Sequence, residues 1–138
     1  MGRFEINGKK TIGGVHHVPG NKNPALPMIA AALLTGEPVT LENVPAIADV
    51  ESMLECARRF GAVVARKPSA GTVTIHAQKL KTARLDPTLV AKIRTSVLFA
   101  GPILARKGRV SLPPPGGDGI GHRRLDTHFD GFSALGAK

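Results

Sequence analysis

The residues best suited to chemistry in this sequence are cationic side chains that stand beside glycines and predicted helix starts. The segment Gly20-Asn-Lys-Asn-Pro24 leads into an apolar run, and Asn23 and Pro24 are typical of the cap and first position of a helix. The exposed amides at a helix N-terminus attract an anion, and Lys22 adds a full positive charge. The segment lacks the spacing of a P-loop. It predicts either an anion site or, on the plainer interpretation, a capped helix beside a solvated lysine.

A second candidate is the glycine-rich run Gly116-Gly-Asp-Gly-Ile-Gly-His-Arg-Arg-Leu-Asp126. Its glycines would let the backbone approach a ligand, and the guanidinium groups of Arg123 and Arg124 could hold phosphate or carboxylate oxygens. Asp118, at the tip of the loop, could carry a proton. Glycine-rich loops with a charge pair are also common on protein surfaces, and this spacing is not that of a dinucleotide-binding loop. Taken alone, the pattern is a weak indication of a site.

Three further groups of side chains could support chemistry. Arg94 lies in an apolar helical pattern, either at the edge of the stripe or reaching into a site. His122 and His128 lie six residues apart with Asp126 between them, a spacing that does not align metal ligands on one face of a helix. Cys56 lies on a predicted helix and is more typical of a packed thiol than of a nucleophile. The sequence therefore disfavours a metal site.

Composition and charge restrict the class of partner. The 138 residues carry 19 Lys and Arg against 10 Asp and Glu, a net charge of +9, which favours an anionic partner. There is no Trp or Tyr and there are five Phe, so a surface that stacks bases would be poorly supplied and nucleic acid is disfavoured. No apolar run approaches the roughly 18 residues of a membrane span. One cysteine and no secretory leader favour a reducing cytoplasm.

The elements that must position these side chains are predicted from hydrophobic periodicity. Weak alternation over residues 3–18 predicts one or two short strands. The apolar run 25–34 predicts a helix buried nearly all round. A strand from Val39 follows, and then a helix that is capped by Asp49, carries one apolar stripe and ends at Gly61 in the left-handed conformation. This order indicates an α/β unit.

A hairpin predicted over residues 62–77 completes this first unit, and after the connector 79–86 a similar order restarts as a second unit. In the second unit, residues 89–106 predict a helix bent at Gly101-Pro102. Residues 110–112 predict a strand. After a proline- and glycine-rich loop, Asp126 would cap a last helix, whose apolar residues are Phe129, Phe132 and Leu135.

The two halves also share short motifs. Val39-Thr-Leu-Glu-Asn-Val-Pro matches Val110-Ser-Leu-Pro-Pro-Pro-Gly, and Phe60-Gly-Ala matches Leu135-Gly-Ala, at offsets of 71 and 75 residues. The period predicts duplicated α/β units. In the second copy the chain stops at Lys138, where the hairpin should begin, which would leave an open sheet edge. We therefore expect a fragment, or an edge that a second copy or a missing segment covers.

These motifs together resemble the N-terminal third of the UDP-N-acetylglucosamine 1-carboxyvinyltransferase family, which are enolpyruvyl transferases. The resemblance runs from about residue 3 to the last residue. It implies repeated α/β units around buried helices, with residues 1–21 forming strands that pair with a second domain. Residues 22–138 would form the first two repeats of the first domain, the second truncated. The motifs that carry it are Gly20-Asn-Lys-Asn-Pro-Ala-Leu-Pro, Leu41-Glu-Asn-Val-Pro, Arg94-Thr-Ser, Gly101-Pro and Gly116-Gly-Asp-Gly-Ile-Gly-His-Arg.

The resemblance implies a reaction as well as a fold. The enolpyruvyl group of phosphoenolpyruvate would pass to the 3-hydroxyl of UDP-N-acetylglucosamine with release of phosphate, the first committed step of peptidoglycan synthesis. No metal or organic cofactor is implied. This stretch alone, without the family's catalytic base, is expected to be inactive. The alternative is a non-catalytic module that binds anions or nucleic acid through the same α/β unit.

Roles for individual residues follow from the resemblance only where the motifs match. Lys22 and Asn23 would hold phosphoenolpyruvate, with Lys22 counted as catalytic. Asp118 would be the general acid, at a position where many members carry a cysteine that fosfomycin alkylates, so we expect insensitivity to that drug. Arg124 stands where a proline is usual. The residues expected to contact UDP-N-acetylglucosamine are Arg94, Arg123, Arg124, Leu125, Asp126 and Thr127.

Overall fold

The computed structural model describes residues 3–9, 11, 13–116 and 124–138, and the predicted mixture of helices and strands is confirmed. None of the helices in these ranges has the length and apolar character that crossing a bilayer requires. Short 3-10 segments lie at Ala32–Leu34, Pro68–Ala70 and Arg94–Phe99. The main elements are α1 (Lys22–Ala31), β1 (Pro38–Leu41), α2 (Ala48–Phe60), β2 (Val63–Lys67), β3 (Thr72–His76), α3 (Pro87–Val90), α4 (Ala100–Lys107) and α5 (Asp126–Ala134).

The strands form one antiparallel sheet in the order β1-β3-β2. The predicted hairpin is confirmed as the β2–β3 pair, and its connection ends at Gly71, whose φ of 60° favours glycine. On the central strand β3, Val73 and Ile75 are fully buried, while their neighbours are only partly covered. This period of two puts one face of the sheet against the helices.

Helix α2 supplies the largest part of the core. The predicted apolar stripe is confirmed, because its five residues have no exposed surface: Val50, Met53, Leu54, Ala57 and Phe60. Gly61 ends the helix with a φ of 110°, as predicted. A Cβ atom at Gly61 would lie 2.9 Å from the backbone nitrogen of Lys81, so this glycine also allows the connector after β3 to pack closely.

Helix α1 begins two residues earlier than predicted. Asn21, not Asn23, is the cap, and its side chain accepts a 2.8 Å hydrogen bond from the backbone N–H of Asn23. Pro24 then falls in the first turn, where its missing N–H costs no hydrogen bond. Burial all round is also wrong, since Met28 is 43% exposed. Helix α2 and the Arg94–Phe99 segment pack against α1 and leave part of its surface uncovered.

The residues before α1 were expected to form short strands. The structure assigns no strand to the described residues among 3–21, and those up to Pro19 are exposed. Apolar side chains such as Phe4 and Ile6 are about 90% exposed, at 94% and 88%. No neighbouring strand in the described part of the chain offers hydrogen bonds to this segment, and an alternating pattern without a partner does not form a sheet. Pairing with a second domain stays a prediction.

The single bent helix predicted over residues 89–106 is wrong. Helix α3 ends at Val90, Ile93 is extended, a 3-10 segment follows, and α4 starts at Ala100. Pro102 lies in the first turn of α4, where a missing N–H is tolerated, so it marks a new helix start and not a bend. The hydroxyl of Ser96 also donates to the carbonyl of Ile93 at 2.7 Å, a local bond that competes with continuous helix.

The end of the second unit is less regular than predicted. Residues 110–112 form no strand, and only Ser111 makes a single parallel bridge, to Arg84. Asp126 is the first helical residue of α5 and does not cap it, because the capping position falls on Leu125. Helix α4 is anchored by Arg106, whose guanidinium donates to four backbone carbonyls. Two of them lie just after α1 and two just after β3: Leu33, Thr35, Ala77 and Gln78.

Candidate functional site

The candidate site is built around Lys22, the first residue of α1. Its ammonium nitrogen lies 2.8 Å from Oδ2 of Asp49 in the first turn of α2. The two side chains are about half exposed, at 53% and 40%, so this ion pair stands at the surface. Asp49 was predicted to cap α2, which is wrong: the cap position is Ile47, without a side-chain bond, and the carboxylate reaches α1 instead.

Gly20 and Asn43 hold the start of α1 close to the segment before α2. A Cβ atom at Gly20 would lie 1.6 Å from the carbonyl oxygen of Asn43, so only glycine allows this approach. Asn43 itself has a φ of 53°. With the Lys22–Asp49 contact, the packing brings the N-terminal ends of two helices together. Both ends carry partial positive charge, which favours an anion there.

Arg94 begins the 3-10 segment that packs against α1, so the structure brings the elements carrying Lys22 and Arg94 into contact. Arg94 is partly exposed. The next residue, Thr95, has a buried hydroxyl oxygen for which the described residues supply no hydrogen-bond partner. Ser96 is fully buried and bonded to the backbone, which fixes the segment locally.

The glycine-rich run starts against the end of α3. Gly116 donates its N–H to the carbonyl of Val90 at 3.1 Å, and a Cβ atom there would lie 1.9 Å from the carbonyl oxygen of Ala91. The close approach that glycine permits is therefore to the protein's own backbone. Because Ala91 lies three residues before Arg94, the loop begins beside the segment that carries this arginine.

Two predicted site residues, Asp118 and Arg123, lie outside the described residues. Arg124 is 84% exposed and its guanidinium pairs with the carboxylate of Asp126. Thr127 is exposed on the first turn of α5. The described geometry therefore assigns the Arg124–Asp126 pair to the surface and leaves their contact with a ligand a prediction.

A cavity of about 440 Å³ lies between the Arg94–Phe99 segment and the proline-rich loop. Leu125 lines it, as do Ser96 and Val97, which follow Arg94 closely in the chain. The walls are mainly apolar, formed by residues such as Val110 and Phe129. None of the described residues that line the cavity is charged, and such a wall does not suit a diphosphate or a carboxylate, which makes the exposed helix ends the candidate anion site.

Cys56 is excluded as a nucleophile at neutral pH. It is fully buried on α2. Burial, and then the negative charge of Glu55, raise the pKa of its thiol to about 11. The thiolate is the reactive form, so the prediction of a packed thiol is supported.

Asp49 is the residue that sequence reasoning did not assign to the site. It lies 27 residues from Lys22, and no motif spacing links the two. Only the packing of α1 on α2 brings them together. The sequence offered only a weak indication of this pairing: α1 starts with a lysine and has no acidic residue in its first turn, whereas α2 has Asp49 and Glu51 there.

Comparison with known proteins places these observations in a family. A sequence profile described as EPSP synthase (3-phosphoshikimate 1-carboxyvinyltransferase) matches residues 6–138. A protein of Bradyrhizobium diazoefficiens named UDP-N-acetylglucosamine 1-carboxyvinyltransferase is 53% identical over 136 residues, 99% of this chain and 31% of the relative. A protein of the same name from Treponema pallidum is 49% identical over 100% of this chain and 32% of its own length. The chain thus spans about a third of the curated relatives it matches.

A solved structure agrees with the sequence comparison. The crystal structure of the enolpyruvyl transferase NikO from Streptomyces tendae superposes with a TM-score of 0.62 and 29% identity. The superposition covers 65% of this chain and 21% of that one. Sequence and fold point to one conclusion: the chain belongs to the EPSP synthase family of enolpyruvyl transferases.

Proposed function

We propose that this chain supplies part of the substrate-binding region of a UDP-N-acetylglucosamine 1-carboxyvinyltransferase, where its anionic substrates bind. The main observation behind the proposal is that relatives with this name match 99–100% of the chain at 49–53% identity. The cationic Lys22 at the joined N-terminal ends of α1 and α2 adds physical support, because phosphoenolpyruvate brings a phosphate and a carboxylate. The reaction would take place in the cytoplasm, as the first committed step of peptidoglycan synthesis.

In the proposed reaction the oxygen of the 3-hydroxyl of UDP-N-acetylglucosamine adds to the central carbon of phosphoenolpyruvate, its proton passes to the family's catalytic base, and the methylene carbon takes a proton and becomes a methyl group. The tetrahedral intermediate then loses phosphate and one proton of that methyl group, which restores the carbon–carbon double bond. Lys22 and Asn23 hold phosphoenolpyruvate, and Lys22 balances the negative charge of the phosphate. Asp118 is proposed as the acid that protonates the methylene carbon.

The sugar nucleotide is assigned to two other segments that carry arginines, the one that begins at Arg94 and residues 123–127. Arg94, which begins a segment packed against α1, is proposed to contact UDP-N-acetylglucosamine. Residues 123–127 are proposed to line the uridine diphosphate portion, with Arg124 adding a contact where the family has a proline. A guanidinium group suits this task because its fork matches two phosphate oxygens.

The domain arrangement remains part of the proposal. Residues 22–138 are assigned to the first two repeats of the first domain, the second of them partial. Residues 1–21 are assigned to pairing with a second domain, and the exposed apolar side chains of Phe4 and Ile6 fit that role. The remaining arginines of the phosphoenolpyruvate site and the catalytic base would come from the other two thirds of a protein as long as the relatives.

A chimera tests the activity. Residues 1–138 would replace the matching N-terminal third of the Bradyrhizobium diazoefficiens relative, and phosphate release would be measured with both substrates. We expect turnover in the chimera, its loss in Lys22→Ala, and little change in the control Glu55→Gln. A chimera that folds but releases no phosphate, or a 138-residue chain that binds DNA or RNA tightly in a salt-sensitive way, would contradict the proposal.

The role of Asp118 gives a second test. A carboxylate cannot be alkylated by fosfomycin as a cysteine thiol is, so the chimera should keep its activity in the presence of the drug. Asp118→Cys should make it sensitive and add one drug-sized mass to residues 116–126. Inhibition of the unchanged chimera with a covalent adduct at this loop would refute the assignment.

A further inference from the structure

We propose that Asp49 is a positioning residue: it holds the ammonium group of Lys22 at the junction of α1 and α2, ready for the anionic end of phosphoenolpyruvate. The inference rests on the proposed function and adds to it a residue that no family motif in the sequence assigns. The observation that carries it is the 2.8 Å contact between Lys22 Nζ and Asp49 Oδ2.

The two acidic residues in the first turn of α2 have different partners. Glu51 pairs with Arg66, whose side chain is only 8% exposed and which also donates to the carbonyl of Pro45 at 3.0 Å. Asp49 instead reaches across to α1. Glu51 thus serves a buried cation within its own unit, whereas Asp49 serves an exposed cation at the candidate site.

The position of Lys22 explains why a carboxylate is needed there. Lys22 is the first residue of α1, and the N-terminal end of a helix repels a cation. Its long side chain would otherwise sample many conformations in solvent. Asp49 is favoured at its own helix end for the same electrostatic reason that disfavours Lys22, so the pair balances both charges.

A carboxylate beside an anion site could also oppose binding, and the geometry favours positioning. A lysine ammonium has three N–H donors, so its hydrogen bond to Asp49 is compatible with a further hydrogen bond from the same group. The start of α1 is itself fixed, by the Asn21 cap and by the close packing of Gly20 on Asn43. A fixed helix end with a fixed ammonium needs less ordering when the anion binds.

The test compares Asp49→Asn with the control Glu55→Gln, which removes the same charge from the exposed side of α2 where Glu55 meets Arg58 and Arg59. Phosphoenolpyruvate affinity of the chimera described above is measured by calorimetry, and acetylation of Lys22 with and without phosphoenolpyruvate is followed by mass spectrometry. Asp49→Asn should speed acetylation of Lys22 and weaken affinity about threefold, although it removes a negative charge. Asp49→Glu should recover part of the affinity, and in Lys22→Ala the effect of Asp49→Asn should vanish.

The outcomes separate this inference from the function on which it rests. If phosphoenolpyruvate slows acetylation of Lys22 in the unchanged chimera, then tighter binding in Asp49→Asn, or binding and acetylation equal to those of the control, would overturn the positioning role. If phosphoenolpyruvate gives no such protection in the unchanged chimera, the proposed role of Lys22 and this inference are overturned together, whereas phosphate release by the chimera tests the proposed function separately. Equal unfolding transitions of the two variants exclude a general loss of structure as the cause.

Discussion

Helices α2 and α5 end in the same way and are packed very differently. At each end a glycine with positive φ follows the helix, 110° at Gly61 and 95° at Gly136. In both, the glycine donates to the carbonyl three residues back and the next alanine to the carbonyl five residues back. Yet α2 has six buried residues and α5 has none.

The difference shows which features are local. A helix ending of this kind depends on a glycine that tolerates positive φ and on backbone bonds within a few residues, so a repeated motif reproduces it. Burial depends on what covers the helix. Helix α2 is covered by α1 and β2, whereas α5 touches the second unit through residues such as Phe132, whose ring lies over Gly101.

The largest expected difference concerns the residue before each glycine. Phe60 is fully buried, 5.4 Å from the ring of Phe99 between centroids, whereas its counterpart Leu135 is 88% exposed. Phe60→Ala should lower the free energy of unfolding by about 3–5 kcal/mol, and Leu135→Ala by less than about 0.5 kcal/mol. Urea denaturation followed by circular dichroism measures both. Equal losses would mean that α5 is covered as well as α2.

Thiol reactivity gives the next largest effect. Cys56 on α2 corresponds to Gly131 on α5, where a side chain would meet no atom within 4 Å. Because the pKa of Cys56 is raised to about 11 from the ordinary 9.0, its thiolate fraction at pH 8 should be about 100-fold lower. Alkylation by iodoacetamide should therefore be at least that much faster at the new thiol of Gly131→Cys than at Cys56. Similar rates would contradict the burial of α2.

The same thiol predicts a dependence of stability on pH. The folded chain keeps the proton of Cys56 at pH values where the unfolded chain has lost it, so unfolding releases a proton and is favoured as pH rises. Stability should fall between pH 9.0 and about 11. In Cys56→Ala this part of the fall should be absent, which thermal denaturation at several pH values would detect.

The shared glycines should differ more modestly. Alanine at either position is strained by the positive φ, but at Gly61 the added Cβ would also press on the Lys81 backbone at 2.9 Å. We expect Gly61→Ala to cost about 2–3 kcal/mol and Gly136→Ala about 1 kcal/mol. Denaturant midpoints at constant slope would measure both. A larger loss at Gly136 would show that α5 depends on its ending more than its exposure indicates.

The smallest difference is expected at the first-turn carboxylates. Glu51 pairs with the nearly buried Arg66, and its counterpart Asp126 pairs with Arg124, which is 84% exposed. Glu51→Gln should lower the free energy of unfolding by about 1–2 kcal/mol, because it leaves a buried guanidinium poorly paired. Asp126→Asn should change it by less than about 0.5 kcal/mol. If both changes were neutral, the Arg66 pair would contribute no more than a surface pair.

Much of the first unit could be predicted because its signals are local and its neighbours are present. The stripe of α2, its ending at Gly61 and the hairpin of β2 and β3 follow from periodicity and turn residues. The second unit was predicted less well. There, Ser96 and Pro102 broke the predicted long helix, and a strand pattern at residues 110–112 formed only a single bridge.

The candidate site divides in the same way. The chain's own residues marked Lys22 and Asn23 at a helix start, Arg94 inside an apolar pattern, and the glycine-rich run, and the family membership was visible in those motifs. The pairing of Lys22 with Asp49 was not visible, because neither spacing nor charge pattern links residues 27 positions apart.

The sequence by itself determined that α2 carries an apolar stripe and ends at Gly61, that β2 and β3 form a hairpin, and to which family the chain belongs, since these depend on residue types within short segments. Only the tertiary structure decided which asparagine caps α1, which carboxylate meets Lys22, and how much of each apolar face is covered. Those outcomes depend on which elements pack against one another, and packing joins residues that are distant along the chain.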